Sequence, residues 1–237
     1  MAEKAQLDTG YETGLSVVVP VHNDSDALAR LLPQLLQQQA VTEVVVSAST
    51  SDDALEANCD RPRVRLITGT PGRGQQLNRG TQAARCRTLW FVHADATVTP
   101  HAARIITQRV ASGDTGGWFR FRFQGVQSTA TDRLASLINW RARHGVAYGD
   151  QGLFMSRDAF VEAGGFDDTP LFEESRLVRR LKRTGRFNES HLSIGVDPRR
   201  WQGTGWIKRT LINRALALGN IAGIKPATLA RWYQRSR

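Results

Sequence analysis

Cysteine is scarce in this 237-residue chain: Cys59 and Cys86 are the only two. That excludes a disulfide framework and a Cys-rich zinc module. Long apolar runs are missing as well. No stretch reaches the roughly 18 uncharged apolar residues that a membrane span needs. Acidic residues fall short of basic ones, 22 against 32, for a formal charge of +10. Such a balance suits anionic partners (phosphates, nucleic acid or an acidic lipid surface), and equally a well-solvated surface. Repeats and low-complexity linkers are absent. Met1 to Gly14 has no apolar core and carries Glu3, Lys4, Asp8 and Glu12, so it reads as a polar arm and not a secretory leader. The expectation is a cytoplasmic protein. With 41% hydrophobic residues, the chain can bury a core without staples.

What is present is an alternation of strand and helix patterns. Leu15–Val21 and Glu43–Val46 are β-branched runs, as expected of strands covered on both faces. Leu28, Leu31, Leu32, Leu35 and Leu36 recur at helical spacing, with Pro33 expected to kink or restart that helix. Val64–Ile67 and Leu89–Val92 read as further strands. Gly72-Arg73-Gly74 leads into a helix through Ala84, and Pro100 opens another. The alternation predicts an α/β fold with a mostly parallel central sheet flanked by helices. Ligands of such sheets bind beyond the carboxyl ends of the strands. Later, Phe119, Phe121 and Phe123 alternate with Arg120 and Arg122 as in a half-buried strand. Helical patterns follow over Thr131–Arg143 and Phe172–Thr184, with Glu173 and Glu174 expected in the first turn of the latter. Trp206–Ile224 is basic, apolar and helical in pattern. The divisions expected are an arm over 1–14, one domain over 15–203 and a basic helical extension over 204–237.

Each chemical signal is weak alone. Asp95 ends the fourth strand, where a carboxylate can hold Mg2+ or Mn2+ together with phosphate oxygens; it could equally cap a helix. His93 could add an imidazole ligand or touch a phosphate. Arg73 and Asn78 lie in a Gly-rich turn beside a helix start, a plausible anion cradle or an ordinary turn. Glu173 and Glu174 offer a general base, or merely complement a helix dipole. Arg199-Arg200-Trp201 offers cations and an aromatic face for a diphosphate and a sugar or lipid, or a packed surface Trp. Tyr148-Gly149-Asp150-Gln151 could bind sugar hydroxyls or simply turn the chain.

Their order along the chain resembles the family 2 glycosyltransferases of the GT-A fold. The residues that carry this are Leu15–Pro20 with Asn23-Asp24, Ser51-Asp52, Arg73, Asn78-Arg79-Gly80 and Leu89–Asp95. Gly149–Gly152, Gly164-Gly165-Phe166, Glu173-Glu174, Leu177, Arg180-Leu181 and Arg200-Trp201 complete the set. Within that family the chain looks like a bacterial subgroup of small, stand-alone enzymes associated by name with arsenosugar biosynthesis, on His93-Ala94-Asp95, Tyr148–Gly152 and Arg199-Arg200-Trp201. The resemblance implies a nucleotide-diphospho-sugar donor, Mn2+ or Mg2+, a hydroxyl acceptor and inversion at the anomeric carbon. It places Asp95 and His93 at the metal, with Pro20, Asn23, Ser47, Arg73 and Asn78 along the donor. Glu174 takes the position of the acceptor's base, with Asp150 beside it in the catalytic set. Gln151, Glu173, Arg200 and Trp201 then lie near donor sugar and acceptor.

The chain departs from the family's pattern in two places. Val46-Ser47-Ala48-Ser49-Thr50 stands where the family has an acidic residue that meets the nucleobase, followed by glycines. Glu174 stands where the family usually has Asp. These departures motivate an alternative, a catalytically degenerate GT-A protein that binds or scaffolds a partner. Nucleic-acid binding is not expected, because the basic residues are scattered and no recognised motif is present. The stretch with Trp206, Ile207, Leu211, Ile212, Leu216 and Leu218 among Lys208, Arg209 and Arg214 is expected to pack on the domain or in a homodimer. Peripheral contact with the inner face of an anionic membrane ranks below those two.

Overall fold

The computed structural model describes residues 10–235, apart from the side chains of Arg200 and Arg235. The first half alternates as expected: β1 (Glu12–Val21), α1 (Ser25–Leu36), β2 (Val41–Ala48), α2 (Asp53–Cys59), β3 (Val64–Thr68), α3 (Arg73–Ala83) and β4 (Cys86–Phe91). β1 is parallel to β2 and β4, and β2 to β3. This half-sheet is covered on both faces. Val17, Val19, Val44 and Val46 pack with the leucines of α1 on one side. Val18, Val45 and Leu89 pack with Leu77 of α3 on the other. Residues alternating along a strand must face opposite sides, so a strand buried on both reads as an unbroken apolar run. β1 already begins at Glu12, ahead of Leu15, and its Glu12 pairs with Cys86.

The second half contains β5 (Ala96–Thr97), α4 (Ala102–Ala111), β6 (Gly116–Phe123), α5 (Thr129–His144), β7 (Phe154–Ser156), α6 (Arg157–Glu162), α7 (Ser175–Thr184) and β8 (Phe187–Val196). Three helices close the described chain: α8 (Arg199–Thr204), α9 (Trp206–Ile221) and α10 (Pro226–Arg235). The strands form one sheet in the order β3-β2-β1-β4-β7-β6-β8-β5. The parallel arrangement extends to β6 with β8, while β7 runs antiparallel to β4 and β6, and β5 antiparallel to β8. Phe121 and Phe123 of β6 face α5 and form a third cluster with Trp201.

Three helices differ from the sequence pattern. α1 spans Pro33 undivided; its buried stripe of Leu28, Leu31, Leu32 and Leu35 outweighs the one backbone donor that proline removes. α4 begins after His101, whose φ of 66° sets Pro100 outside the helix. α7 begins at Ser175, because Phe172 sits at φ 62° and breaks the helical path. Glu173 and Glu174 therefore lie in the turn before α7 and not in its first turn.

Candidate active site

The ends of β4 and β8 and the loops before β7 and α7 meet at a cavity of about 500 Å³. Arg73 from the start of α3, His93 and Asp95 from the loop after β4, and Asp150 from the 149–151 turn line one end. Glu174 joins them there. Arg73, at the first position of α3, reaches this end because Gly74 lets the helix touch the loop at Asp167; a Cβ at Gly74 would collide with the Asp167 carbonyl. His93 sits there because Gly149 leaves room for it: a Cβ at Gly149 would lie 2.9 Å from its Nε2.

The adjacent glutamates have opposite environments. Glu173 is 1% exposed and accepts from Arg73 at both oxygens, with Nη2 to Oε2 at 3.0 Å. Burial opposes its ionisation, but the Arg73 charge and hydrogen bonds prevail and hold its carboxyl below the usual range. Glu174 is 2% exposed, and its Oε2 has no hydrogen-bond partner. Burial first, and then the neighbouring Glu173 charge, push its carboxyl well above the usual range. His93 Nε2 and Asp150 Oδ1 are also buried without partners. Burial and the Arg73 charge lower the His93 pKa, so its imidazole is held neutral. A carboxyl raised by burial, next to one fixed as a carboxylate, is the arrangement that suits proton transfer.

Asp95 faces a cation that is already in place. Arg199 Nη2 bonds Asp95 at 3.2 Å and also Asp24, while its Nε lies 3.4 Å from Asp197. These three carboxylates follow β1, β4 and β8, so three strand ends converge on one guanidinium. The hydrogen bond that Arg199 donates to Asp24 outweighs burial, which opposes the charge, and with the bond to Asp95 it raises the Arg199 pKa. No cluster of three or more His, Cys, Asp or Glu side chains among the described residues is arranged to hold a metal ion. The chemistry at Asp95 nonetheless fits Mn2+ or Mg2+ bound through one carboxylate and substrate phosphates, since Mg2+ is usually held that way and not in an all-protein cage.

The other expected site residues divide between the cavity and the scaffold. Trp201 lines the cavity and stands edge-on to Phe121 and Phe123. Gln151 is fully buried, its amide 3.4 Å from the Phe119 carbonyl and from Asn139 Oδ1. Asn78 clamps the backbone of Phe166, donating to its carbonyl at 2.9 Å and accepting from its amide at 3.0 Å. Ser47 is wholly buried, and its Oγ has no partner. Pro20 lies near the end of β1, and Asn23, at φ 51°, turns the chain after it beside a shallow depression shared with Ser49 and Thr50. The Arg200 side chain lies outside the described residues. Tyr148 lines the cavity, and so does Asp197, which no sequence signal pointed to. Asp197 was findable by the logic that found Asp95, had β8 been recognised as a strand. Tyr148 stacks under the Arg141 guanidinium at 4.1 Å.

Residues 16–162, more than half of the chain, match the sequence profile of glycosyl transferase family 2. The chain belongs to that family. It is 38% identical to the succinoglycan biosynthesis protein ExoO of Rhizobium meliloti (strain 1021) over 101 residues, 40% of this chain and 29% of that one. It is 24% identical to a pre-mycofactocin glycosyltransferase of Mycobacterium tuberculosis over 216 residues, 82% of this chain and 45% of the relative. The chain thus spans less than half the length of either relative. Among solved structures, Staphylococcus aureus TarS 1–349 superposes with a TM-score of 0.63 at 15% identity, covering 85% of this chain and 66% of that one. A mannosyltransferase from Pyrobaculum calidifontis, in complex with GDP-Man and Mn2+, superposes with a TM-score of 0.58 at 16% identity, covering 77% and 55%. These likenesses give the family 2 domain its fold, GT-A.

Proposed function

We propose that this domain transfers a sugar from a nucleotide-diphospho-sugar to an acceptor hydroxyl, with inversion, and that Glu174 takes the acceptor's proton. The observation that carries this is the set of three buried, unpartnered atoms (His93 Nε2, Asp150 Oδ1 and Glu174 Oε2) on one cavity at the strand ends. A buried polar atom left unpaired calls for water, an ion, a ligand or a catalytic role, and three of them gathered on one cavity suit a ligand. The solved neighbours crystallised with GDP-Man or UDP-GlcNAc support a nucleotide-sugar as that ligand.

In this reading Arg73, freed on one side of its bond to Glu173, faces the donor's diphosphate. Asp95 would hold Mn2+ or Mg2+ against the phosphates, with His93 alongside, and the cation would supply positive charge for the departing diphosphate. Glu174 in its ionised form accepts the acceptor's proton. The acceptor oxygen bonds to the anomeric carbon, and the bond from that carbon to the phosphate oxygen breaks. Its electron pair leaves with the diphosphate. A single displacement needs one base and no covalent intermediate. Asp150 hydrogen-bonds the transferring sugar, and Trp201 offers it a flat apolar face. The resemblance to the subgroup associated with arsenosugar biosynthesis belongs to this reading. A second reading, binding without turnover, draws on the Arg199 guanidinium seated against Asp95 and on the uncharged Ser47. A panel of nucleotide-sugars with Mn2+, scored by release of nucleoside diphosphate, separates the two. Release that Glu174→Gln abolishes supports transfer; nucleotide binding with no release from any donor supports the second.

A further inference from the structure

We infer that the acceptor is an amphiphilic alcohol drawn from an anionic membrane surface, its apolar chain lying between α5 and α9 while its hydroxyl meets Glu174. This rests on the glycosyl-transfer reading above. The cavity that holds Glu174 does not end at the charged groups. It continues between α5 and α9, where Leu137, Ile138 and Trp140 face Leu216, Leu218 and Ile221. The phosphates and the metal are served at the strand ends, so this apolar end is left for the other substrate. An alcohol with no apolar part would leave these side chains wetted and gain nothing from them.

The apolar lining also runs out onto the surface. Leu137 is 48% exposed, Trp140 58%, Leu218 65% and Ile221 68%, and Ile207 and Leu211 extend the patch along α9. A contiguous apolar patch at the mouth of a cavity marks an interaction surface. The charge around it points to the partner. After Asp197 the chain contains no Asp or Glu, while α9 carries exposed Lys208 and Arg214 and a buried Arg209 that donates to the Tyr233 hydroxyl. Arg141, Arg209 and Arg214 themselves line the cavity. Apolar and aromatic side chains interleaved with cations suit the headgroup boundary of an anionic bilayer. The same charge disfavours a second copy as the occupant, since two basic faces would meet.

The test uses the full chain and the series ethanol, butanol, hexanol and octanol, read by tryptophan fluorescence, with GDP and UDP binding measured on the same samples. Affinity should tighten about fourfold per added methylene. Leu137→Asp and Leu218→Asp, both at exposed positions, should each weaken octanol binding by more than about tenfold while ethanol and nucleotide binding stay unchanged. The chain should sediment with phosphatidylcholine vesicles only when they contain phosphatidylglycerol, and less so at high salt. Affinity that is flat with chain length, or octanol binding that ignores both substitutions, overturns the apolar acceptor. Failure to sediment with the anionic vesicles overturns the membrane source. A concentration-dependent dimer that Leu218→Asp abolishes, with no alcohol binding, assigns the patch to self-association and overturns both. Absence of GDP and UDP binding alone, with the chain-length dependence intact, overturns a guanine or uracil donor and leaves the apolar site standing.

Discussion

Arg157 and Gln76, on the scaffold side of the sheet, and the titratable groups of the cavity wall differ in how their buried atoms are paired. On the scaffold side, Arg157 is buried and donates to three backbone carbonyls, Cys86 at 3.0 Å, Thr81 at 2.9 Å and Ala84 at 2.8 Å. Gln76 bridges the ends of β1 and β2, donating to the carbonyls of Val21 at 2.7 Å and Ser47 at 2.9 Å. These two side chains are satisfied by backbone, although other buried atoms away from the cavity, Ser47 Oγ and Trp118 Nε1 among them, have no partner. On the cavity wall, Glu174, Asp150 and His93 each keep a buried atom without a partner. What sets the cavity wall apart is that its unpartnered atoms belong to an imidazole and two carboxyls gathered on one cavity, which suits a ligand.

Substitution at Glu174 should separate the two regions most sharply. Glu174→Gln should lower transfer by about 10²–10⁴-fold, measured as the initial rate of diphosphate release at saturating donor. It should at the same time raise the melting temperature at pH 7. The sign follows from the raised carboxyl: below the unfolded pKa both states are protonated and nothing is lost. As pH rises toward the folded pKa, the unfolded state gives up its proton first and stability falls. The gain from Glu174→Gln should therefore shrink toward acid pH, as a series of thermal melts would show. Conversely, Arg157→Ala should cost about 3 kcal/mol in urea unfolding, because it strands three buried carbonyls, yet leave nucleotide affinity unchanged in the folded fraction.

The wild-type rate should climb with pH to a plateau, with its midpoint above the usual carboxylate range, because only ionised Glu174 can accept a proton. A rate that is flat through that range would remove Glu174 from the role of base. Asn78→Ala loses two bonds to the Phe166 backbone and should cost about 1–2 kcal/mol with little change in donor affinity, which would place Asn78 on the scaffold side. The smallest effect is expected at Arg199. Half-exposed, it competes with any cation at Asp95, so Arg199→Ala should tighten Mn2+ binding in the absence of nucleotide by no more than about fivefold, measured by electron paramagnetic resonance titration.

Much of the scaffold was legible in the sequence because burial on two faces writes itself as a run: Val17-Val18-Val19 and Val44-Val45-Val46 could hardly be read otherwise. β6 was legible through its alternation of Phe and Arg. β8 was not, because Asn188, Glu189, His191 and Ser193 interrupt its apolar residues and its partner β6 lies far back in the chain. With β8 went Asp197. The site was legible as a roster but not as roles. Glu173 and Glu174 are neighbours in sequence, and only Arg73, 100 residues away, makes one a fixed anion and leaves the other unpaired. Asn78 and Gln151 carry the same amides whether they face a ligand or a strand's backbone, and sequence cannot tell which carbonyl is nearest. The apolar end of the cavity was legible only as separate helical stripes on α5 and α9, since nothing local shows that the two stripes face each other.

The central claim is that the cavity's charged end is where the sugar changes hands. A crystal structure of Glu174→Gln with Mn2+ and an intact nucleotide-diphospho-sugar tests it most directly. The account requires the diphosphate between Arg73 and Asp95, with the anomeric carbon turned toward residue 174 and open to the channel between α5 and α9. A diphosphate bound away from Arg73 and Asp95, or a sugar turned from residue 174, would contradict it.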